Sequence, residues 1–230
     1  MFSRDHLSYD PIPLPDDIAL NDPDMCAAAN AFAAAMATRH TVRDFDTAPV
    51  PRDVIETCIK TAGNAPSGAN HQPWSFVAIS NPALKQRIRA EAEEEERRFY
   101  AGSAGDEWIK ALEPIGTNDH KPHLTDAPWL IVMFAQRYGA FADGTRYKNY
   151  YVPESTGIAF GFLIAALHHA GLSLLTHTPN PMKFLNSALD RPASEKPMMI
   201  LAVGKARADA KVPAVAKIKK PLEEILTVFE

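Results

Sequence analysis

The sequence predicts one α+β domain in which a few buried strands lie between layers of helices. Three observations predict it. Short apolar segments rich in β-branched and aromatic residues recur along the chain, helix-like segments separate them, and no internal repeat, low-complexity tract or linker divides the 230 residues. A chain of that length with 46% hydrophobic residues buries a substantial core.

Residues 1–24 carry Pro11, Pro13, Pro15 and Pro23, which oppose regular structure, so this segment is expected to be an extended arm preceding a folded unit over 25–230. Asp24 is a candidate cap for a helix reaching about Thr38. Pro51 suits the first turn of a second helix, which places Val54, Ile55, Cys58, Ile59 and Ala62 on one face and ends at Gly63. Strands are expected over 74–80, 130–135, 172–176 and 198–203. Helices are expected over 82–100, 106–112, 155–171 and 182–189, with a short closing helix or extended tail over 221–228.

Composition narrows the function classes. A net charge of -4 gives no general basic surface for a nucleic-acid backbone. Cys26 and Cys58 stand alone, without histidines at metal-ligand spacing, so neither a metal site nor a redox motif is signalled and a reducing cytoplasm fits. The alanine-rich stretch 25–37 follows Asp16, Asp17, Asp22 and Asp24, the wrong charge for a secretory leader. The apolar run 157–167 is far shorter than the roughly 20 residues a membrane span requires. No nucleic-acid or membrane partner is expected.

Three groups of residues carry possible chemistry. Arg39, His40, Thr41 and Arg43 gather two guanidinium groups and a hydroxyl where a phosphate can be held; taken alone, the cluster also fits a solvated basic helix end. Pro66, Ser67, Gly68 and Ala69 lie in a loop whose small residues let the backbone approach a planar ligand, although proline and glycine also suit a plain connection. Glu96 and Tyr100 are one helical turn apart and share a face, with Lys121 downstream. By itself the run Glu93, Glu94, Glu95, Glu96 reads as a solvated acidic face, and Lys121 as a loop lysine.

The pattern Arg39-His40-Thr41-Val42-Arg43, followed by Ala65-Pro66-Ser67-Gly68-Ala69 and Pro73-Trp74, resembles the nitroreductase superfamily and, within it, the iodotyrosine deiodinase branch. The resemblance extends from about Tyr9 to the C-terminal region. It implies a three-layer α/β/α sandwich, an intertwined homodimer, and flavin mononucleotide (FMN) bound in active sites across the dimer interface. It assigns Arg39, His40, Thr41 and Arg43 to the flavin phosphate and ribityl chain, and Pro66, Ser67 and Gly68 to the flavin, with Ala69 near the substrate. Thr176, His177 and Thr178 match a threonine-rich run near the flavin ring, with Thr178 favoured for the flavin N5 atom and a catalytic role through it.

Glu96, Tyr100 and Lys121 match the substrate triad of the deiodinases, in which carboxylate and ammonium bind the opposite charges of an amino-acid zwitterion. The polar segment between them, with Gly102, Gly105 and Gly116, is expected to form a lid. Three departures stand out: Lys219 replaces the usual flavin-phosphate arginine, Val152-Pro153 replaces a polar pair, and His177 interrupts the threonine run.

The implied activity is reductive dehalogenation of a halotyrosine, with NAD(P)H or a separate reductase as electron source. The rival readings are a general nitroreductase or quinone reductase, a flavin-consuming enzyme, and a non-catalytic flavin- or ligand-binding protein.

Overall fold

In the computed structural model, residues 8–14 and 19–230 are described, apart from the side chain of Ser103. The expected arm lies partly outside them. Its described parts outside the first helix, residues 8–14 and 19–21, are irregular and exposed. Helix α1 (Asp22–Ala37) starts earlier than expected because Asn21, not Asp24, caps it: the Asn21 side chain accepts the Asp24 N–H at 3.0 Å, and Pro23 occupies the first turn. Asp22, Pro23 and Asp24 therefore belong to the helix and not to the arm.

Helix α2 (Arg52–Gly63) buries Ile55, Cys58 and Ala62, the face expected from its periodicity. Strand β1 (Trp74–Ile79) follows, then α3 (Pro82–Arg98), capped by the Asn81 side chain on the Leu84 N–H at 2.9 Å. A wide turn over Phe99–Ser103 leads to α4 (Asp106–Leu112), a tight turn over Glu113–Ile115 and the short α5 (His123–Asp126). Then come β2 (Trp129–Gln136) and a hairpin of β3 (Tyr138–Ala140) and β4 (Arg146–Lys148). Helix α6 (Val152–His169), β5 (Ser173–His177), α7 (Phe184–Ala188) and β6 (Glu195–Gly204) complete the body. The closing segment holds only the tight turns Ala214–Lys217 and Leu222–Glu224, so the tail alternative holds over most of 221–228.

The main sheet has the order β1-β2-β6-β5, with every neighbouring pair antiparallel. Strand β2 is central and buried on both faces, which explains its nearly unbroken apolar sequence. Alternation divides it: Ile131 and Met133 join α2 and α6 in one core, while Leu130, Val132 and Phe134 join α3, α5 and α7 in the other. Strand β6 repeats the division, with Leu201 and Val203 on one side and Ile200 and Ala202 on the other. The result is the expected three-layer α/β/α sandwich. Burying a side chain such as Phe134 or Leu163 contributes about 1.5–3 kcal/mol, so both layers are held by comparable sets of contacts.

α1 differs from the other long helices. Despite Met25, Phe32 and its alanines, none of its residues is buried. The chain after Pro213 likewise leaves Ile218, Leu222, Ile225, Leu226, Val228 and Phe229 exposed. Among the described residues, no helix is long and apolar enough to cross a membrane.

Candidate active site

Beyond α1 the chain runs along β5: Thr41 forms a parallel bridge with Leu174, and the Val42 N–H donates to the Leu174 carbonyl at 3.1 Å. Val42 is buried in this run, and alternation turns its neighbour Arg43 to the opposite side. Arg43 thereby reaches a cavity of about 230 Å³ that Thr176, His177 and Thr178 also line, with Glu96, Tyr100 and Lys121 on its far walls. Residues from four separate parts of the sequence thus meet at the C-terminal end of one edge strand. Burial lowers the Arg43 pKa, and the charges of Asp44 and Tyr100 act in the opposite sense.

Glu96 enters this cavity because of its place on α3. Lys85, Ile88 and Ala92 form the buried stripe of that helix, and Glu96 is the next position on it. The acidic run therefore splits. Glu94 faces water and pairs with Arg97 and Arg98, whereas the side chains of Glu93 and Glu96 are only 14% and 13% exposed. A solvated acidic face describes Glu94 alone among the three.

Glu96 Oε2 lies 3.0 Å from Lys121 Nζ, and that lysine is buried. Lys121 Nζ also donates to Thr117 Oγ1 at 3.2 Å and sits 5.8 Å from the centre of the Tyr100 ring. Glu93 fixes the lysine backbone by accepting the Lys121 N–H at 2.8 Å, while Arg89 Nε donates to the same carboxylate oxygen at 2.7 Å. Burial opposes ionisation of Glu93, but these bonds outweigh it and hold the carboxyl below its ordinary pKa. From the next turns of α3, Lys85 Nζ donates to the Thr125 and Ala127 carbonyls at 3.0 and 2.6 Å, and Arg89 to Thr125 Oγ1 at 2.9 Å. α3 and α5 are thereby clamped together, and Lys121 and His123 with them.

Sequence reading missed Glu93, Thr117 and His123. Glu93 carried a usable signal, its one-turn spacing from both Arg89 and Glu96. His123 did not: only the fold sets its ring against that of His177, centres 5.3 Å apart. Burial drives both histidines toward the neutral form, His123 down to about 2, with the His177, Lys121 and Arg43 charges adding to the effect, and His177 down to about 3, with Lys121 and Arg43 adding. Among the described residues, His123 Nε2 and His177 Nε2 are buried without a hydrogen-bond partner, and the buried Tyr100 hydroxyl has only Thr117 beside it. Burial also raises the Tyr100 pKa.

The segment expected to be a lid takes the form of the wide turn, α4 and the next tight turn. Its Trp108 and Ile115 line the cavity, and Trp108 packs edge-on against Phe99 at 5.0 Å while remaining 54% exposed.

Other expected site residues stand apart within the protomer. Arg39, His40, Thr41, Pro66, Ser67, Gly68, Ala69 and Lys219 do not line this cavity. The Ser67 hydroxyl accepts the Gln72 N–H at 2.9 Å, and the Gly68 N–H donates to Ser155 Oγ at 3.3 Å at the start of α6. His71 Nδ1 lies 2.9 Å from Asn149 Oδ1, joining the loop to the chain beyond β4. Ala69, Asn70 and Gln72 all take positive φ, so the loop is strained and held by these bonds. A Cβ on Gly68 would meet Tyr151 Cδ2 at 2.8 Å and the Tyr150 carbonyl at 2.9 Å. Val152 and Pro153 form the first turn of α6, where the missing proline N–H costs no helical bond. Lys219 is exposed, two residues beyond a turn that packs beside Glu113–Ile115.

Comparison with known proteins gives one consistent family. The model of the nitroreductase family matches residues 36–205. An iodotyrosine deiodinase from Haliscomenobacter hydrossis is 50% identical over 182 residues, covering 79% of this chain and 82% of that protein. Iodotyrosine deiodinase 1 of Homo sapiens is 40% identical over 204 residues, covering 88% of this chain and 71% of its own length. Among solved structures, an oxidised iodotyrosine deiodinase bound to FMN and 3-iodo-L-tyrosine superposes with a TM-score of 0.71 at 28% identity, covering 86% of this chain and 98% of the other. An FMN-bound nitroreductase from Bacteroides fragilis superposes at 0.62 with 17% identity, covering 86% and 98%, a likeness of fold.

Proposed function

Because the chain belongs to the nitroreductase family, we propose that it is an FMN-dependent oxidoreductase that reductively removes halide from a halotyrosine. The observation that carries this reading is the cavity itself, in which Glu96, Tyr100 and Lys121 face Arg43 and the Thr176–Thr178 run. An amino-acid clamp and residues suited to a flavin share one space.

The residues present suit FMN. Arg39, His40, Thr41 and Arg43 supply guanidinium and hydroxyl donors for the phosphate and ribityl chain, with Lys219 a further cation. Thr176 and Thr178 are exposed at the end of β5, and Thr178 has a hydroxyl for the ring's N5 atom. Pro66, Ser67, Gly68 and Ala69 do not line this cavity in their own protomer, so we assign them to the flavin and substrate of a second subunit's site. Exposed α1 and the apolar groove of Phe32, Cys58 and Phe162 support that homodimer, since apolar patches of this kind mark interaction surfaces.

When bound, FMN supplies the two electrons that, with one proton, replace the carbon–halogen bond by carbon–hydrogen and release halide. The chain's own residues recognise and orient the substrate. In the absence of substrate Glu96 and Lys121 neutralise each other at 3.0 Å. An arriving zwitterion exchanges that one ion pair for two, ammonium on Glu96 and carboxylate on Lys121, without leaving a buried charge unpaired. The Tyr100 hydroxyl lines the same cavity beside Thr117 and can pair with the substrate. Trp108, Leu112 and Ile115 exclude water from the aromatic end.

The test is to reduce purified holoprotein anaerobically and mix it with diiodotyrosine. Flavin reoxidation with release of iodide is expected. Absence of both rejects the catalytic reading.

A further inference from the structure

His177 is unexplained by the clamp as described. Its side chain is 8% exposed, and Nε2 is buried on the wall of the cavity without a partner among the described residues. Leaving such an atom unpaired is costly, and an apolar side chain would fill the same space without that cost. Nε2 lies 3.9 Å from Glu96 Oε1, too far for a hydrogen bond but near enough for a small side-chain rotation to close one. The other carboxylate oxygen, Oε2, is the one held by Lys121. The His123 ring packs against His177 from α5 and fixes its plane.

We propose that His177 is a positioning residue for substrate binding: its neutral Nε2–H takes hold of Glu96 Oε1 when Lys121 turns to the substrate carboxylate, so that Oε2 stays aimed at the substrate ammonium. The inference rests on the clamp reading above. As Lys121 leaves, Glu96 loses the cation it pairs with and is free to rotate on its flexible side chain. A donor on the opposite oxygen removes that freedom. A neutral imidazole suits this task because a charged one would compete with the substrate ammonium for the same carboxylate.

The experiment is equilibrium binding of 3-iodo-L-tyrosine and of 2-iodophenol, which lacks the zwitterion, to oxidised FMN-loaded protein. Wild type is compared with His177→Leu, His177→Gln and His177→Asn. Glutamine places an amide N–H close to the position of imidazole Nε2, while asparagine stops short of Glu96 at similar polarity. This pair decides the question even where the leucine variant fails to fold. A hydrogen bond to a charged group makes a loss of roughly tenfold or more in 3-iodo-L-tyrosine affinity the expectation for His177→Leu and His177→Asn, with recovery in His177→Gln. Affinity for 2-iodophenol should change by less than about twofold, since that ligand does not use Glu96. On a Glu96→Ala background the His177→Leu effect should shrink to within about twofold, because the two residues act as one unit.

Unchanged 3-iodo-L-tyrosine affinity in His177→Leu and His177→Asn overturns the inference, as does an equal loss for both ligands or a full effect on the Glu96→Ala background. Failure of wild type to prefer 3-iodo-L-tyrosine over 2-iodophenol instead refutes the clamp, and His177's role with it.

Discussion

Replacing Glu93 by alanine tests how the clamp is held in place. The substitution removes the acceptor of the Lys121 N–H at 2.8 Å and of Arg89 Nε at 2.7 Å. Two groups then lose their partner: a backbone donor leading to a buried lysine, and a guanidinium whose side chain is 19% exposed and which keeps Thr125 Oγ1 at 2.9 Å. Breaking a fully buried pair costs about 3–5 kcal/mol, and the remaining solvent contact of Arg89 with its second bond reduces this to about 2–3 kcal/mol. For a domain of this size that corresponds to a fall in melting temperature of roughly 5–10 °C. Glu93→Gln keeps a neutral acceptor and should cost about 1 kcal/mol. Denaturant titration measures both, with an unchanged m-value expected. Because the carboxyl titrates below its ordinary value in the folded state, its contribution is present above the unfolded pKa of about 4.3 and lost as pH falls through the lower folded value. The difference between wild type and Glu93→Gln should narrow over that acidic range. A Glu93→Ala loss within about 0.5 kcal/mol, the usual size for a surface change, refutes the reasoning.

Lys121→Ala should abolish most halotyrosine turnover while leaving reduction of a neutral nitroarene nearly intact; parallel losses would favour a general reductase. Gly68→Ala should cost about 1–3 kcal/mol in thermal melts and weaken FMN retention, since its Cβ meets the Tyr150 carbonyl at 2.9 Å and backbone must move. The two histidines should make stability fall below about pH 6.5, because the unfolded chain then protonates His123 and His177 while the folded chain, with values near 2 and 3, does not. Each histidine contributes a slope of up to about 1.4 kcal/mol per pH unit, and His177→Gln should remove one of the two in denaturation series between pH 7.5 and 5.

The sandwich was legible in the sequence wherever periodicity and burial coincide. β2 reads as a strand because both its faces are buried, and α2 reads as a helix because Ile55, Cys58 and Ala62 recur on one side. Short elements were not legible. β3 and β4 have three residues each, and α5 has four, so their sequences carry no repeat of either period. At the site, Glu96, Tyr100 and Lys121 were found through family spacing, and the structure brings them together. Glu93 was marked only by its one-turn spacing from Arg89 and Glu96, because an acidic run shows its two faces fully only when the helix has something to pack against. The pairing of His123 with His177 joins α5 to β5 and has no local signature.

The charge inventory of the cavity connects these features. Glu96 and Lys121 cancel, Glu95 on the cavity's rim pairs with Arg98, and the two buried histidines are neutral. Arg43 is then the cation whose charge its cavity neighbours leave uncompensated, with Asp44 beside it in sequence. Burial already disfavours its charged form, so an anion brought against it gains more than it would at an exposed arginine. A phosphate monoester meets that need. A zwitterion adds no net charge and can enter beside it by exchanging one ion pair for two. On the proposed clamp, a ligand with only the carboxylate would release Lys121 from Glu96 and leave that carboxylate buried without a cation, so the deaminated analogue should bind more weakly than the amino acid.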